Sequence, residues 1–194
     1  MRIAVLGVGL IGGSIGLAAR ERLPGVEVVG FGRSPERLER ARELGAIHAA
    51  AGSLEEALDG ADACFACAPV GALAEQVESA LEAAGPDCVV SDVGSTKGRL
   101  LARVRDPRFI GGHPIAGAET AGVEHARAEL FQGAVWYLTP LEHSEGLLYE
   151  RLHRLVVALG ARPVAIDPAT HDRVVAVFSH LPHVLANLLV AQAG

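Results

Sequence analysis

The stretch Ile3-Ala-Val-Leu-Gly-Val-Gly-Leu-Ile-Gly-Gly-Ser-Ile-Gly16 decides the fold of this 194-residue chain. Its β-branched beginning predicts a buried strand, and its small apolar end predicts a packed helix. Gly7, Gly9 and Gly12 have the spacing of a turn whose backbone amides meet a phosphate at a helix N-terminus. The first glycine permits the turn, the second clears a path for a pyrophosphate, and the third lets the helix approach the strand. The stretch predicts a dinucleotide site, although packing alone also selects such turns.

Composition narrows the class of protein. Half of the residues are hydrophobic and only 4% are aromatic, which suits helices packed on a parallel sheet. A net charge of −6 without a basic block argues against nucleic acid as a partner. We find no signal-peptide pattern and no apolar run near the roughly 18 residues of a membrane span. We therefore expect a cytoplasmic protein that does not bind membranes.

The cysteines are interpreted as small core residues. Cys64 and Cys67 match a C-x-x-C pattern, which in other settings is a redox pair. Here the pattern lies in an apolar, strand-like run, where positions i and i+3 face opposite sides. A reduced, structural role is expected for all three cysteines.

Strand-like and helix-like segments alternate along the chain. Strands are expected at residues 2–6, 27–31, 46–50, 63–68, 88–92 and 108–112, with helices between them. Such alternation predicts an α/β fold with a doubly wound, mostly parallel sheet. Two more strands, at 134–139 and 162–166, flank a helix over 144–159. In a sheet of this kind, ligands bind at the carboxyl ends of the strands.

The last segment differs from the rest of the chain. Asp167 followed by Pro168 predicts a helix start, with a capping acid before proline at the first helical position. Residues 169–194 are apolar on nearly all sides, and such a helix must be buried. Either a second subunit packs on it or the chain is a fragment of a longer protein. We expect one domain over residues 1–166 and the beginning of a helical domain over 167–194.

The end of the second strand bears on the choice of dinucleotide. An acidic residue that holds an adenosine ribose is expected there, but the chain has Gly32, followed by Arg33 and Ser34. A guanidinium and a hydroxyl suit a 2′-phosphate. The alternative is that Ser34 merely caps the next helix while Arg33 points to water.

Two motifs at the carboxyl edge carry the candidate chemistry. Ser91-Asp-Val-Gly-Ser-Thr-Lys97 follows the fifth strand, so Ser95 and Thr96 lie beside the cofactor, unless they only cap a helix. Gly111-Gly-His-Pro-Ile-Ala-Gly117 places His113 at the same edge among residues too small to shield it. Histidine titrates near neutral pH, which suits removal of a hydroxyl proton while a hydride leaves the same carbon. Ser95 is expected to fix the tautomer of His113.

A pair of histidines lies on the last helix. His180 and His183 are three residues apart and share a helix face. A metal site is conceivable, but no acidic residue or cysteine stands at ligand spacing, so we expect no metal. Pro182 is expected to bend the helix, which is consistent with a cleft.

Together these motifs resemble the prephenate dehydrogenase family, which includes arogenate and cyclohexadienyl dehydrogenases. The matching segments are Gly7-Val-Gly-Leu-Ile-Gly-Gly-Ser14, Asp92-Val-Gly-Ser-Thr-Lys97, Gly111-Gly-His-Pro-Ile-Ala-Gly117 with Glu119, His171-Asp-Arg173, and Ser179-His-Leu-Pro-His183. The resemblance implies a Rossmann-type domain followed by an all-helical domain through which two subunits form a homodimer. The chain is similar to the first domain plus the first helix of the second. The family's substrate-binding arginine on later helices has no counterpart here.

The resemblance also implies a reaction. It is the oxidative decarboxylation of prephenate to 4-hydroxyphenylpyruvate, or of arogenate to tyrosine, with NAD or NADP in tyrosine biosynthesis. His113 would take the ring hydroxyl proton and Ser95 would orient His113. Implied substrate-binding residues are His183 at the carboxylate side, Glu119 as a gate, Ser179 and Thr96. Implied cofactor-binding residues are Gly7, Gly9, Leu10, Ile11, Gly12, Arg33, Ser34 and Pro69. The family usually has an acid at the end of strand 2 and prefers NAD, so Gly32 leaves the cofactor open.

Two other functions fit parts of the pattern. One is a different dehydrogenase or reductase of a small acid or imine, and the other is a non-catalytic nucleotide-binding module. Neither requires both His-Pro-Ile-Ala-Gly and Ser-His-Leu-Pro-His.

Overall fold

The computed structural model describes residues 1–193, except the side chains of His180, His183 and Ala193. Its strands are β1 (Arg2–Leu6), β2 (Glu27–Phe31), β3 (Ala49–Ala50), β4 (Ala63–Ala66), β5 (Val89–Asp92), β6 (Phe109–Pro114), β7 (Val135–Thr139) and β8 (Arg162–Ala165). They form one sheet in the order β3-β2-β1-β4-β5-β6-β7-β8. The sheet is parallel from β3 to β6, β7 is antiparallel to β6, and β8 is parallel to β7. The predicted mostly parallel sheet is confirmed.

Helices cover both faces of the sheet. They are α1 (Leu10–Arg22), α2 (Pro35–Glu43), α3 (Leu54–Leu58), α4 (Val70–Ala83), α5 (Gly98–Arg103) and α6 (Gly146–Ala158). One hydrophobic layer joins α1, α2 and α6 to the sheet, and the other joins α3, α4 and α5. Cys64 belongs to the second layer and Cys67 packs against the first, so the two thiols lie on opposite sides as predicted. The doubly wound arrangement follows from strands that are apolar on both faces.

Several boundaries differ from the sequence prediction because tertiary contacts set them. Only Ala49–Ala50 of the expected third strand pair with β2. β6 runs two residues further than expected and contains His113, because His113 and Pro114 pair with β7. α5 begins at Gly98 rather than at Thr96, since the amides of Lys97 and Gly98 donate to the carboxylate of Asp172.

The C-terminal segment is helical from Pro168. It comprises α7 (Pro168–Val175), a π-helical turn (Ala176–His180) and α8 (Leu181–Ala193). The Asp167 carboxylate accepts a hydrogen bond from the Thr170 amide at 2.9 Å, which confirms the predicted helix start. The π turn ends two residues before Pro182, a residue that has no amide to donate. The distortion expected from this proline therefore takes the form of an inserted residue.

Large apolar side chains of this helix are exposed. They are Val177, Phe178, Leu181, Val184, Leu185, Leu188, Leu189 and Val190. Pro168–Gln192 is a helical segment of 25 residues that contains an 18-residue stretch apolar enough to cross a membrane, by length and composition alone. The expectation that no apolar run approaches this length was wrong, because the charged residues of the helix are confined to its first turns. The burial expected for this helix is not provided by the described part of the chain.

Candidate active site at the carboxyl edge of the sheet

The glycine turn after β1 has the geometry that a dinucleotide requires. Gly7 has a φ of +98°, a conformation that favours glycine. A Cβ at Gly12 would overlap the Gly7 carbonyl oxygen and lie 2.9 Å from Val5 Cγ1, so this glycine permits the close approach of α1. A Cβ at Gly9 would meet no atom within 4 Å, so the backbone there faces open space. Since α1 starts at Leu10 without an acidic residue in its first turn, its amides suit an anion.

The sequence left two interpretations of the residues after β2, namely recognition of a 2′-phosphate and capping of the next helix by Ser34. The structure has features of both. Ser34 caps α2, because its hydroxyl accepts a hydrogen bond from the Arg37 amide at 3.3 Å. The same hydroxyl donates to Glu36 at 2.7 Å. Arg33 is exposed. A Cβ at Gly32 would touch a single side-chain atom, at 3.8 Å, so packing does not exclude an acid there. Capping by Ser34 is confirmed, and recognition of a 2′-phosphate stays a prediction.

A buried ion pair at the end of β5 also holds the end of β6. The ammonium group of Lys97 contacts the carboxylate of Asp92, and both side chains are fully buried. Asp92 also accepts hydrogen bonds from the amides of Gly94 at 2.8 Å and Gly112 at 3.0 Å. Burial lowers the pKa of Lys97, and the charge and hydrogen bond of Asp92 oppose that shift. Because Gly112 directly precedes His113, the ion pair fixes the backbone that carries this histidine.

His113 belongs to a hydrogen-bonded row of side chains that the sequence did not predict. Its Nδ1 atom lies 2.9 Å from Nε2 of His171, and the two rings meet edge to face. Nδ1 of His171 lies 2.8 Å from the Asp172 carboxylate. His171 is fully buried, whereas His113 is half-buried. Asp172 also accepts hydrogen bonds from the amides of Lys97 and Gly98, at 2.8 and 2.9 Å, which ties α7 to the end of β5.

The electrostatic surroundings define the charges of this row. Burial lowers the pKa of His171 and the nearby Lys97 charge adds to this effect, while the hydrogen bond with Asp172 opposes it. For Asp172, burial acts to raise the pKa. Hydrogen bonds from His171, Lys97 and Gly98 outweigh that effect, so the pKa of Asp172 is lowered. At neutral pH the row therefore contains a carboxylate next to a neutral His171 imidazole.

The other residues proposed from the sequence lie around this edge. Ser95 and Thr96 are half-buried in the loop between β5 and α5, and no hydrogen bond among the described residues joins Ser95 to His113. Glu119 is exposed in the loop after β6, and Ser179 lies in the π turn. The side chain of His183 is outside the described part of the structure. The roles of these residues stay predictions.

One of the candidate cofactor-binding residues follows β4 rather than β1 or β2. Pro69 is the N-cap residue of α4. The loop that precedes it is held by Gln76, whose side-chain oxygen accepts a hydrogen bond from the Ala68 amide at 3.0 Å. A Cβ at Gly7 would lie 3.1 Å from the Cys67 carbonyl oxygen, so the loops after β1 and β4 are adjacent. In a doubly wound sheet, the crevice between these two strands is where ligands bind.

A glycine turn after the central strand of a doubly wound sheet defines a Rossmann-type dinucleotide-binding protein. The chain belongs to the prephenate dehydrogenase family. Residues 15–165 match the family model described as the nucleotide-binding domain of prephenate dehydrogenase. Residues 167–194 match the model described as its dimerization domain.

Individual relatives are similar over nearly all of this chain. Prephenate dehydrogenase from Bacillus subtilis is 36% identical over 98% of the chain, which covers 53% of that protein. Prephenate dehydrogenase from Aquifex aeolicus, in complex with hydroxyphenyl propionate and NAD+, has a TM-score of 0.92 at 31% identity, over 99% of this chain and 68% of that one. Arogenate dehydrogenase from Synechocystis has a TM-score of 0.87 at 34% identity, over 100% of this chain and 70% of that one. The chain thus spans about half the length of the first of these relatives.

Proposed function

We propose that this chain takes part in the NAD(P)-dependent oxidative decarboxylation of prephenate to 4-hydroxyphenylpyruvate, or of arogenate to tyrosine. The observation that carries the proposal is the position of His113. It lies at the carboxyl edge of the sheet, on β6, which β4 and β5 separate from β1, and the glycine turn lies at the same edge. Similar proteins include prephenate and arogenate dehydrogenases. This reaction belongs to tyrosine biosynthesis, and we propose that it occurs in the cytoplasm.

The glycine turn would hold the dinucleotide. Gly7, Gly9 and Gly12 provide a turn that an anion can approach, and the amides of Leu10 and Ile11 open α1. Pro69, at the start of α4, would border the same crevice. Bound NAD or NADP would supply the hydride acceptor.

The adenosine end of the cofactor would meet the residues after β2. The exposed Arg33 guanidinium and the Ser34 hydroxyl suit a 2′-phosphate, whereas an acid that would hold a free ribose hydroxyl is missing at Gly32. Glu36 lies against Ser34 and would repel a phosphate, so Arg33 is the stronger candidate of the two. We propose that both dinucleotides bind, with Arg33 favouring NADP.

His113 would act as the general base. A neutral imidazole can accept the proton of a ring hydroxyl, and general-base catalysis is most effective when the pKa of the base is near the working pH. Ser95, on the loop after the neighbouring strand, would hydrogen bond to the substrate hydroxyl and orient it.

The remaining candidates would surround the substrate. Thr96 adjoins Ser95, and Ser179 stands on the C-terminal helix at the π turn, a distortion that is frequent at functional sites. His183 would hold a carboxylate of the substrate, and Glu119 would act as a gate from its exposed loop. The apolar face of α8 would pack against a second copy of the chain, as the dimerization-domain match suggests.

The test is an assay of the full-length protein with each pairing of NAD or NADP with prephenate or arogenate. The proposal expects reduction of at least one dinucleotide together with release of carbon dioxide. Dinucleotide binding without turnover of either substrate would reject the proposal. The remaining functions would then be a nucleotide-binding module or a dehydrogenase of another acid. Substrate-dependent reduction without carbon dioxide release would also reject the proposal.

A further inference from the structure

The buried row formed by Asp172, His171 and His113 extends beyond the residues assigned above. We propose that His171 and Asp172 are positioning residues that set the tautomer of His113 and stabilise its protonated form. This inference rests on the proposed function, in which His113 is the base. Neither His171 nor Asp172 would contact the substrate, and both would act through the His113 ring.

The direction of the hydrogen bonds follows from the chemistry of each group. An ionised carboxylate only accepts, so Nδ1 of His171 must donate to Asp172 across their 2.8 Å contact. In a neutral imidazole the other nitrogen is then an acceptor, so Nε2 of His171 accepts from Nδ1–H of His113 at 2.9 Å. Neutral His113 consequently has its lone pair on Nε2. That nitrogen is the one that would take the substrate proton.

Proton uptake gives the row a second role. Once Nε2 of His113 is protonated, the imidazolium keeps its Nδ1–H bond to His171, which is polarised by the Asp172 carboxylate behind it. A negative charge close to a histidine favours its charged form. The base would thus be strengthened without a carboxylate in contact with the acidic substrate, which such a carboxylate would repel.

Other charged and titratable groups face this row from the neighbouring elements. The Asp92–Lys97 ion pair lies at the β5 end, and the charges of both residues act on His171. The ring of Tyr137, from β7, meets His171 edge to face at 5.5 Å. Because Lys97 is neutralised by Asp92, Asp172 is the negative charge that holds His171 as a donor from Nδ1. The row is also rigid, since Asp172 is held by two backbone amides of the α5 start.

The tautomer can be measured without substrate. In histidine-labelled protein at neutral pH, 15N NMR should show His113 as the Nδ1–H form, with its signals assigned by their loss in His113→Asn. His171→Leu removes the acceptor with an apolar group and should abolish this preference. An Nε2–H form of His113 in the unmodified protein would overturn the proposal. This readout stands even if neither substrate is turned over, which would reject the proposed function instead.

Kinetics separate positioning from a merely structural role. His171→Leu should lower kcat by about 10²-fold, within the range of general-base catalysis, and leave the Kd of the dinucleotide unchanged. His171→Gln retains an oxygen that can accept from His113 and should recover most of the loss. Equal losses in both variants, at equal thermal stability, would contradict the proposal.

The pH profile tests the role of Asp172. Asp172→Asn removes the negative charge with little change in shape, so the acid limb of kcat/KM should move to lower pH by about one unit. The matched control is Arg173→Gln, which removes an exposed charge from the next residue of the same helix. It should leave the limb in place. An unmoved acid limb in Asp172→Asn would reject stabilisation of the His113 imidazolium by this carboxylate.

Discussion

Replacing Lys97 by methionine tests the buried ion pair beneath the active site. The substitution retains most of the side-chain volume but leaves the Asp92 carboxylate buried with only the amides of Gly94 and Gly112 as partners. Removing one member of a buried pair costs about 3–5 kcal/mol of unfolding free energy. Protonation limits the loss, because neutralising an ordinary carboxyl group of pKa near 3.9 at pH 7 costs about 4 kcal/mol. We therefore expect a loss of about 3–4 kcal/mol at pH 7.

The pH dependence of this loss identifies its cause. If the folded variant holds a proton that the unfolded chain releases, its stability is lost as the pH rises. The loss measured by urea unfolding should then shrink by about 1.4 kcal/mol per unit as the pH falls from 7 towards 5. The matched control is the double variant Asp92→Asn/Lys97→Met, which should cost about 1–3 kcal/mol for one unsatisfied amide and show no such slope. A pH-independent loss in the single variant, or a larger loss in the double variant, would refute the reasoning.

Three further predictions concern the cofactor and the proposed dimer. Gly12→Ala should raise the Kd of the dinucleotide at least about tenfold and lower stability by about 1–3 kcal/mol, because its Cβ would overlap the Gly7 carbonyl. The control Gly71→Ala, whose Cβ meets nothing within 4 Å, should leave the titration unchanged and should not lower the melting temperature, because alanine favours the helix in which it lies. Arg33→Ala should weaken the binding of NADP about tenfold, through the loss of one charge-assisted contact, and should leave the binding of NAD unchanged. The control Arg37→Ala should not weaken the binding of NADP. Equal effects of Arg33→Ala on both dinucleotides would contradict a 2′-phosphate contact. If the proposed dimer forms through α8, Leu189→Glu should dissociate it in sedimentation, whereas Leu147→Glu, on another exposed apolar residue, should not. A dimer unaffected by Leu189→Glu would exclude this face.

Local pattern was sufficient to predict most of the fold. The β-branched runs of β1 and β2 have the bounds expected from the sequence, and Ser34 and Asp167 cap their helices through side-chain hydrogen bonds. The boundaries that moved depend on partners distant in sequence. β6 extends to Pro114 because β7 pairs with it, and alternation within β6 alone carries no information about that partner.

The site was predictable only where its residues are close in sequence. The glycine turn and His113 stand in short motifs whose chemistry is local. The contact between His113 and His171 joins residues 58 positions apart, and the Asp172 carboxylate caps a helix 74 positions away. The sequence signal for this row was the adjacent His171-Asp172 pair, which is equally compatible with a solvent-exposed helix start. Folding of α7 against β5 and β6 is needed to bring these groups together.

The substitution His113→Asn tests the central claim most directly, namely that this sheet edge is a dehydrogenase site with His113 as its base. It should be measured in the full-length protein, with turnover and dinucleotide binding determined on the same preparation. We expect kcat to fall by about 10²–10⁴-fold, the usual contribution of a general base, while the Kd of the dinucleotide stays unchanged. Retention of near-normal turnover by His113→Asn would contradict the account.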